Sequence, residues 1–336
     1  MKQVRLGRTD LLVSKTAFGA LPIQRVPMAE SDAILQRAFE AGINFFDTAN
    51  AYTDSEEKIG HALSGVRDRI VIATKSAVPD KATVLANLET SLRRLKTDYI
   101  DIFQLHNPAV LPSDELYEAL LEQQAKGRIR HIGITNHRIH LAFEAVQSGR
   151  FATMQFPFSL LSGPQELALV QACAETDTGF IAMKALSGGL INDSTAAFGF
   201  MAQYPNVVPI YGIQRLGELE EFLALEENPP VQDERLESRI EKAREGLSGD
   251  FCRSCGYCLP CPAGIDIPQC ARISLLMTRA PYQAYLSDEW RSKMQQVNDC
   301  IHCGHCSRHC PYGLDTPELL QRELARYETL YEKLTA

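Results

Sequence analysis

The chain has 336 residues, 45% apolar and 23% charged, a mix that suits a globular protein with a sizeable core and excludes a disordered or fibrous one. Its net charge of −8 offers no basic footprint for a phosphate backbone, so no nucleic-acid partner is expected. No run of about twenty apolar residues is present to span a bilayer, and the charged start MKQVRLGRTDLLVSK lacks the apolar core of an export signal, which predicts a cytoplasmic protein without membrane attachment.

Residues 1–15 alternate around LGRTDLLVS, where Arg8-Thr9-Asp10 suits the turn of a hairpin closing the N-terminal end of the first domain. From residue 16 to about 215 one theme repeats: a short apolar run, a polar turn, a helix-period segment. The apolar runs are 16–21, 43–49, 69–75, 99–106, 128–135, 152–156, 179–185 and 207–213. Helical patterns lie between most of them, such as 31–42, with Ser31 expected as N-cap and Gly42 as the stop. Eight strands alternating with helices predict an α/β protein, a (β/α)8 TIM barrel. An open doubly wound sheet is the competing arrangement, but no G-x-G-x-x-G follows the first strand. A Pro-Pro break and a charged helical stretch then suggest a connector, giving a barrel over 1–225, a connector over 226–250 and a second domain over 251–336.

Chemistry in such a barrel sits at the C-terminal ends of the strands. Asp47 and Tyr52 follow the second strand, Lys75 closes the third and His106 the fourth. A buried Lys75 can equally be a structural ion-pair partner of Asp47, and His106 alone would read as a core histidine. Together they suit proton transfer to a carbonyl: Asp47 keeps Lys75 charged, the cation lowers the pKa of Tyr52, and His106 orients the carbonyl oxygen toward the phenol.

The segments FFDTANAYTDSEEKIGHAL (45–63), IATK (72–75) and LHN (105–107) resemble the Asp, Tyr, Lys and His segments of the aldo-keto reductases, and the resemblance covers roughly residues 1–225. It implies an NADP or NAD cofactor across the barrel mouth and a small carbonyl or alcohol substrate. It also implies that Gly19 and Ala20 line the cofactor, that Thr135, Asn136 and Gln155 hold its carboxamide, and that Ser187, Gly188, Gly189 and Leu190 cover the pyrophosphate. Gly212, Ile213, Gln214 and Arg215 precede a helix whose N-terminus suits a phosphate, and Glu221 falls near the adenine amino group. Met183-Lys184 stands where the family usually stacks an aromatic on the nicotinamide, so Met183 would line that face. Glu218 stands where many members place a basic residue for the 2′-phosphate, which leaves NADPH and NADH both open.

Nine of the ten cysteines fall between Cys252 and Cys310, a density that favours metal over disulfides in a reducing compartment. CIHCGHCSRHCP (300–311) has the C-x-x-C-x-x-C-x-x-x-C-P spacing of two-cluster ferredoxins, and CRSCGYCLPCP (252–262) approaches it, one residue short before Cys261. Zinc is the alternative, but its sites generally take two ligands from each C-x-x-C. The crossed ligation of those ferredoxins implies one [4Fe–4S] cluster on Cys252, Cys255, Cys258 and Cys310. The other would be on Cys300, Cys303, Cys306 and Cys261, with Cys270 in reserve for Cys261. Helical periods between and after the runs make this domain resemble the α-helical two-cluster ferredoxins.

These features predict an NAD(P)-dependent carbonyl reductase coupled to, or regulated by, its clusters, with a ferredoxin or flavoprotein as electron partner. A nicotinamide-binding redox sensor that signals through a partner protein is the alternative, and a purely structural role for the clusters stays open.

Overall fold

The computed structural model describes residues 1–78, 80–245, 247, 251–279 and 282–335, which divide into two compact units. The first comprises Met1–Ala185 and Ser194–Ile240; the second comprises Leu186–Asp193 and Glu241–Ala336.

A two-stranded antiparallel hairpin, β1 (Gln3–Arg5) and β2 (Leu12–Ser14), opens the first unit. Eight parallel strands then close into a barrel: β3 (Ala17–Gly19), β4 (Phe45–Asp47), β5 (Val71–Ser76), β6 (Ile100–His106), β7 (Ile129–Thr135), β8 (Thr153–Pro157), β9 (Gly179–Met183) and β10 (Val207–Gly212). Each lies within one of the expected apolar runs or within a residue of it. The order follows the sequence, and β10 pairs back onto β3 through Gly212 and Gly19. The strands are buried almost throughout, as parallel strands covered by helices must be. Leu6, Leu11 and Val13 from the hairpin region join Phe45, Ala73, Ile102, Ile181 and Val208 in one core, so the hairpin plugs the barrel from below. Each such buried Leu, Ile or Phe contributes roughly 1.5–3 kcal/mol.

The covering helices are α1 (Met28–Glu40), α2 (Ser55–Leu63), α3 (Lys81–Leu95), α4 (Asp114–Ala125), α5 (Ile139–Gln147), α6 (Pro164–Glu175), α7 (Ser194–Ala202) and α8 (Leu216–Glu227). Asp80 caps α3 by accepting from the Thr83 amide at 2.8 Å, worth about 1 kcal/mol. Helix α1 starts earlier than expected, after Pro27, so Ser31 is not its N-cap. Ser31 is buried inside the first turns and donates its hydroxyl to the Met28 carbonyl at 2.7 Å. Gly42 does end the helix, at φ 94°. The expected connector contains α9 (Glu234–Glu245), and the division between the units falls within it; residues 246 and 248–250 of that connector lie outside the described residues.

The second unit is helical: α10 (Ile267–Cys270), α11 (Ile273–Arg279), α12 (Asp288–Gln295), α13 (His305–His309) and α14 (Thr316–Thr335). Its core gathers Ile265, Ile267, Met277, Met294, Val297, Leu314, Leu320, Leu324 and Tyr327, with the cysteine loops around it. No helix among the described residues is long and apolar enough to cross a membrane.

Candidate active site and cluster cavities

Strand ends bring the four expected residues of the barrel together. Asp47 is the last residue of β4, Lys75 lies near the end of β5, and the β4–β5 register sets Asp47 opposite Ala73. Both charged side chains are almost completely buried. Lys75 Nζ donates to Asp47 Oδ1 at 2.6 Å and to the Thr48 carbonyl at 2.6 Å. Burial pushes Asp47 up and Lys75 down, each toward its neutral form, and the charge of the partner opposes it. Removing one member of such a pair strands the other charge, at a cost of about 3–5 kcal/mol.

Tyr52 lies in the turn before α2, its ring 5.4 Å from Lys75 Nζ and 6.0 Å from the His106 ring, edge to face. The expectation that Lys75 lowers the pKa of Tyr52 is not met in this arrangement. Burial and then the charge of Asp47 raise it. The phenol therefore carries its proton at neutral pH. His106 is pushed down to about 3 by burial and then by the charge of Lys75, so its imidazole is neutral there.

Two buried amides, Gln104 and Gln155, surround the other edge of Asp47. Gln155 Nε2 lies 3.5 Å from Asp47 Oδ1, and Gln104 Nε2 donates to Asp47 Oδ2 at 3.3 Å and to Gln155 Oε1 at 2.8 Å. Sequence reasoning passed over Gln104; the available signal was a polar residue two places before His106, on the same strand face as Ile100 and Ile102. It also passed over His137, which is buried and pushed well below its ordinary value by burial, then by the charges of Lys184 and His106.

The residues expected to meet a nicotinamide carboxamide lie on adjacent strand ends: Thr135 pairs with Gln155 across β7 and β8, and Met183 with Pro157 across β8 and β9. Thr135 Oγ1 is 3.7 Å from Met183 Sδ. This run of polar edges fits a carboxamide. Asn136 is engaged differently: its Oδ1 accepts from the His137 and Arg138 amides and its Nδ2 donates to the Pro108 carbonyl, so its side chain builds the turn. Gly19 and Gly212 close β3 and β10, and Ala20 donates its amide to the Asp47 carbonyl at 2.8 Å. Ser187, Gly188, Gly189 and Leu190 belong to the second unit, with φ between 52° and 88° at residues 187–189.

At the start of α8 the expected phosphate site holds a carboxylate. Glu218 Oε2 accepts from the Gln214 and Arg215 amides at 2.9 and 3.2 Å, and Arg215 Nε pairs with Glu218 Oε1 at 3.1 Å. A negative side chain suits this helix end, and it competes with any phosphate there. Glu221, on α8, accepts from Ser194 Oγ at 2.5 Å. Ile213 is buried behind this turn.

In the second unit the cysteines surround two cavities. One is lined by Cys252, Cys255, Cys258 and Cys310 with Ile267, Tyr312 and Leu314. The other is lined by Cys261, Cys300, Cys303 and Cys306, with Cys258, Ile265 and Ile267. Four cysteines line one space and five the other, Cys258 being shared, and soft thiols in that number suit an iron–sulfur cluster in each. Among the described residues no three His, Cys, Asp or Glu side chains are grouped to hold a single metal ion. Burial, then the charges of Cys252 and Cys255, push the Cys258 thiol up to about 12, a proton that metal binding displaces. Cys270 is fully buried in α10, with its Sγ 3.6 Å from the Lys293 carbonyl. Cys173 is buried in α6.

Residues 16–200 match the profile of the Aldo/keto reductase family, more than half of the chain, and residues 251–315 match that of a 4Fe-4S dicluster domain. The chain is 34% identical over 175 residues to the oxidoreductase YqkF of Bacillus subtilis, covering 48% of this chain and 57% of that one. It is 36% identical over 149 residues to L-galactose dehydrogenase of Arabidopsis thaliana, covering 39% of this chain and 47% of the relative. The chain thus spans about half the length of these relatives. An aldo/keto reductase from Klebsiella pneumoniae, solved with NADP and acetate, superposes with a TM-score of 0.63 at 25% identity, over 72% of this chain and 94% of that one. The holo form of an aldo-keto reductase from Bacillus halodurans gives 0.66 at 24% identity over 72% of this chain and 96% of that one, a likeness of fold. On its barrel, its strand-end residues and this match, the chain belongs to the aldo/keto reductase family.

Proposed function

We propose that the chain reduces an aldehyde or ketone with a nicotinamide dinucleotide, or oxidises an alcohol in the reverse direction. The observation that carries this reading is the buried Asp47–Lys75 pair at the barrel mouth with Tyr52 and His106 beside it. The dinucleotide, when bound, supplies the hydride. Tyr52 is the general acid: its proton, held firmly in the resting site, passes to the carbonyl oxygen as negative charge develops there. Lys75, 5.4 Å from the Tyr52 ring, is the cation beside the phenol as its proton leaves, and Asp47 keeps Lys75 charged and in place. Neutral His106 donates a hydrogen bond that aligns the carbonyl oxygen. Thr135 and Gln155 orient the carboxamide.

Glu218 makes NADH the preferred dinucleotide, because a 2′-phosphate would meet a carboxylate already bonded to the Gln214 and Arg215 amides just before α8. Dinucleotide oxidation by the purified protein across a panel of aldehydes and ketones tests both points. Turnover faster with NADH supports them, and no turnover with either dinucleotide contradicts the reductase reading.

Two [4Fe–4S] clusters are assigned to the two cavities, one on Cys252, Cys255, Cys258 and Cys310, the other on Cys261, Cys300, Cys303 and Cys306. Clusters, when bound, accept and release single electrons. They give the protein a route to a one-electron partner such as a ferredoxin or flavoprotein, or a redox control on the barrel. Anaerobic purification should yield about eight irons per chain with matching acid-labile sulfide; zinc without sulfide would contradict the assignment.

A further inference from the structure

Along β6 the side chains of Ile100, Ile102, Gln104 and His106 share one face by strand alternation. Interior positions of such barrels are usually filled by branched apolar residues, yet Gln104 is fully buried there. Its Nε2 spans two acceptors, Asp47 Oδ2 at 3.3 Å and Gln155 Oε1 at 2.8 Å. Its own Oε1 is buried without a partner among the described residues. Turning the amide over would aim that oxygen at a carboxylate and a carbonyl oxygen, so the site dictates the amide's orientation. A buried acceptor left unpaired is destabilising, and an apolar side chain at this place would avoid it. The residue is explained by what its two N–H groups hold.

Those groups hold two different things. Asp47 Oδ1 is shared by Lys75 and Gln155, and Gln104 supplies the hydrogen bond to Oδ2. A donor on Oδ2 favours the ionised carboxylate against complete burial. In a pair as buried as Asp47–Lys75, it therefore favours the charged pair over the neutral one. The second N–H fixes the amide of Gln155, leaving its Nε2 turned toward Asp47.

We propose that Gln104 is a positioning residue of the reaction, setting the charge of the Asp47–Lys75 pair with one N–H and the orientation of Gln155 with the other. This rests on the reductase reading, in which Lys75 supports the Tyr52 phenolate and Gln155 meets the carboxamide. Without the two donors, Lys75 loses its proton at lower pH, and Gln155 is free to turn away from the dinucleotide.

The test uses the full-length, cluster-loaded protein and its Gln104→Met and Gln104→Glu variants. The readouts are the dinucleotide Kd, followed by fluorescence, and the pH profile of the single-turnover rate with the carbonyl that the wild type reduces fastest. In Gln104→Met the Kd should rise about fivefold and the alkaline limb move down by about one pH unit, the size expected for one charge-assisted hydrogen bond. Gln104→Glu should be slow at neutral and alkaline pH, where two carboxylates face each other. It should recover as pH falls and its carboxyl regains an O–H to donate. A role in packing alone would lower the melting temperature without moving the limb. Folded Gln104→Met with wild-type Kd and limb overturns the proposal; should Gln104→Met not fold, a Gln104→Glu profile parallel to the wild type overturns it equally. A wild-type protein that binds no dinucleotide overturns the reductase reading, and this assignment with it.

Discussion

At the scale of single residues, electrostatics decide what the site can accept. Glu218 accepts from the Gln214 and Arg215 amides just before α8 and pairs with Arg215, so the turn that would suit a phosphate already holds a carboxylate. Glu218→Gln should therefore improve use of NADPH relative to NADH by about tenfold, corresponding to about 1.4 kcal/mol, measured as the ratio of kcat/KM values. An unchanged ratio would remove Glu218 from cofactor selection. His106 is held neutral down to about pH 3 by burial and by Lys75. The rate profile should accordingly show no acid limb between about pH 5 and 7, where an ordinary histidine titrates. A limb there that disappears in His106→Asn would show that this imidazole does take a proton in the working range. That Tyr52 lies beside Lys75 and His106 was legible in the sequence, but not the direction of its shift, which burial and the Asp47 charge decide.

At the scale of elements, the barrel was legible because strands covered on both faces must be apolar almost continuously, and the eight runs announce themselves. The start of α1 was not: Ser31 has the chemistry of a cap, but its hydroxyl is satisfied inside the helix by the Met28 carbonyl. Gln104 was missed for a related reason. A single amide two places before His106 is a weak local signal, and its meaning comes from Asp47 and Gln155, which are 57 and 51 residues away. The loop of residues 186–193 was read with the barrel strand that precedes it, yet it groups with the second unit, a long-range outcome that no local pattern announces. Packing between α2 and α3 gives a further prediction. A methyl group on Gly60 would lie 2.2 Å from the Arg94 carbonyl oxygen, where rigid backbone must move. Gly60→Ala should cost about 1–3 kcal/mol and lower the melting temperature of the barrel by several degrees. A melting temperature unchanged within a degree would mean that the two helices separate easily.

At the scale of the whole molecule, an aldo/keto reductase barrel and a cysteine-rich helical unit share one chain, and the two should respond to different conditions. His106 and His137 are both held below their ordinary value of 6.5, so the folded chain binds fewer protons than the unfolded one as pH falls. Their environment costs nothing above pH 6.5, where both states are neutral. Stability is lost progressively as pH drops below that value toward the folded pKa. Melting curves recorded from pH 7.5 to 5 should show the barrel transition falling below about pH 6.5, and less steeply in His106→Asn. The cysteine unit, on the proposed cluster assignment, should instead answer to oxygen and chelators. If Tyr52 gives the proton in carbonyl reduction, Tyr52→Phe will show it in the rate of dinucleotide oxidation, with dinucleotide Kd measured on the same sample. The rate should fall by about 10²–10⁴-fold, the usual worth of a general acid, at an unchanged Kd. A Tyr52→Phe protein that reduces carbonyls at the wild-type rate would contradict it.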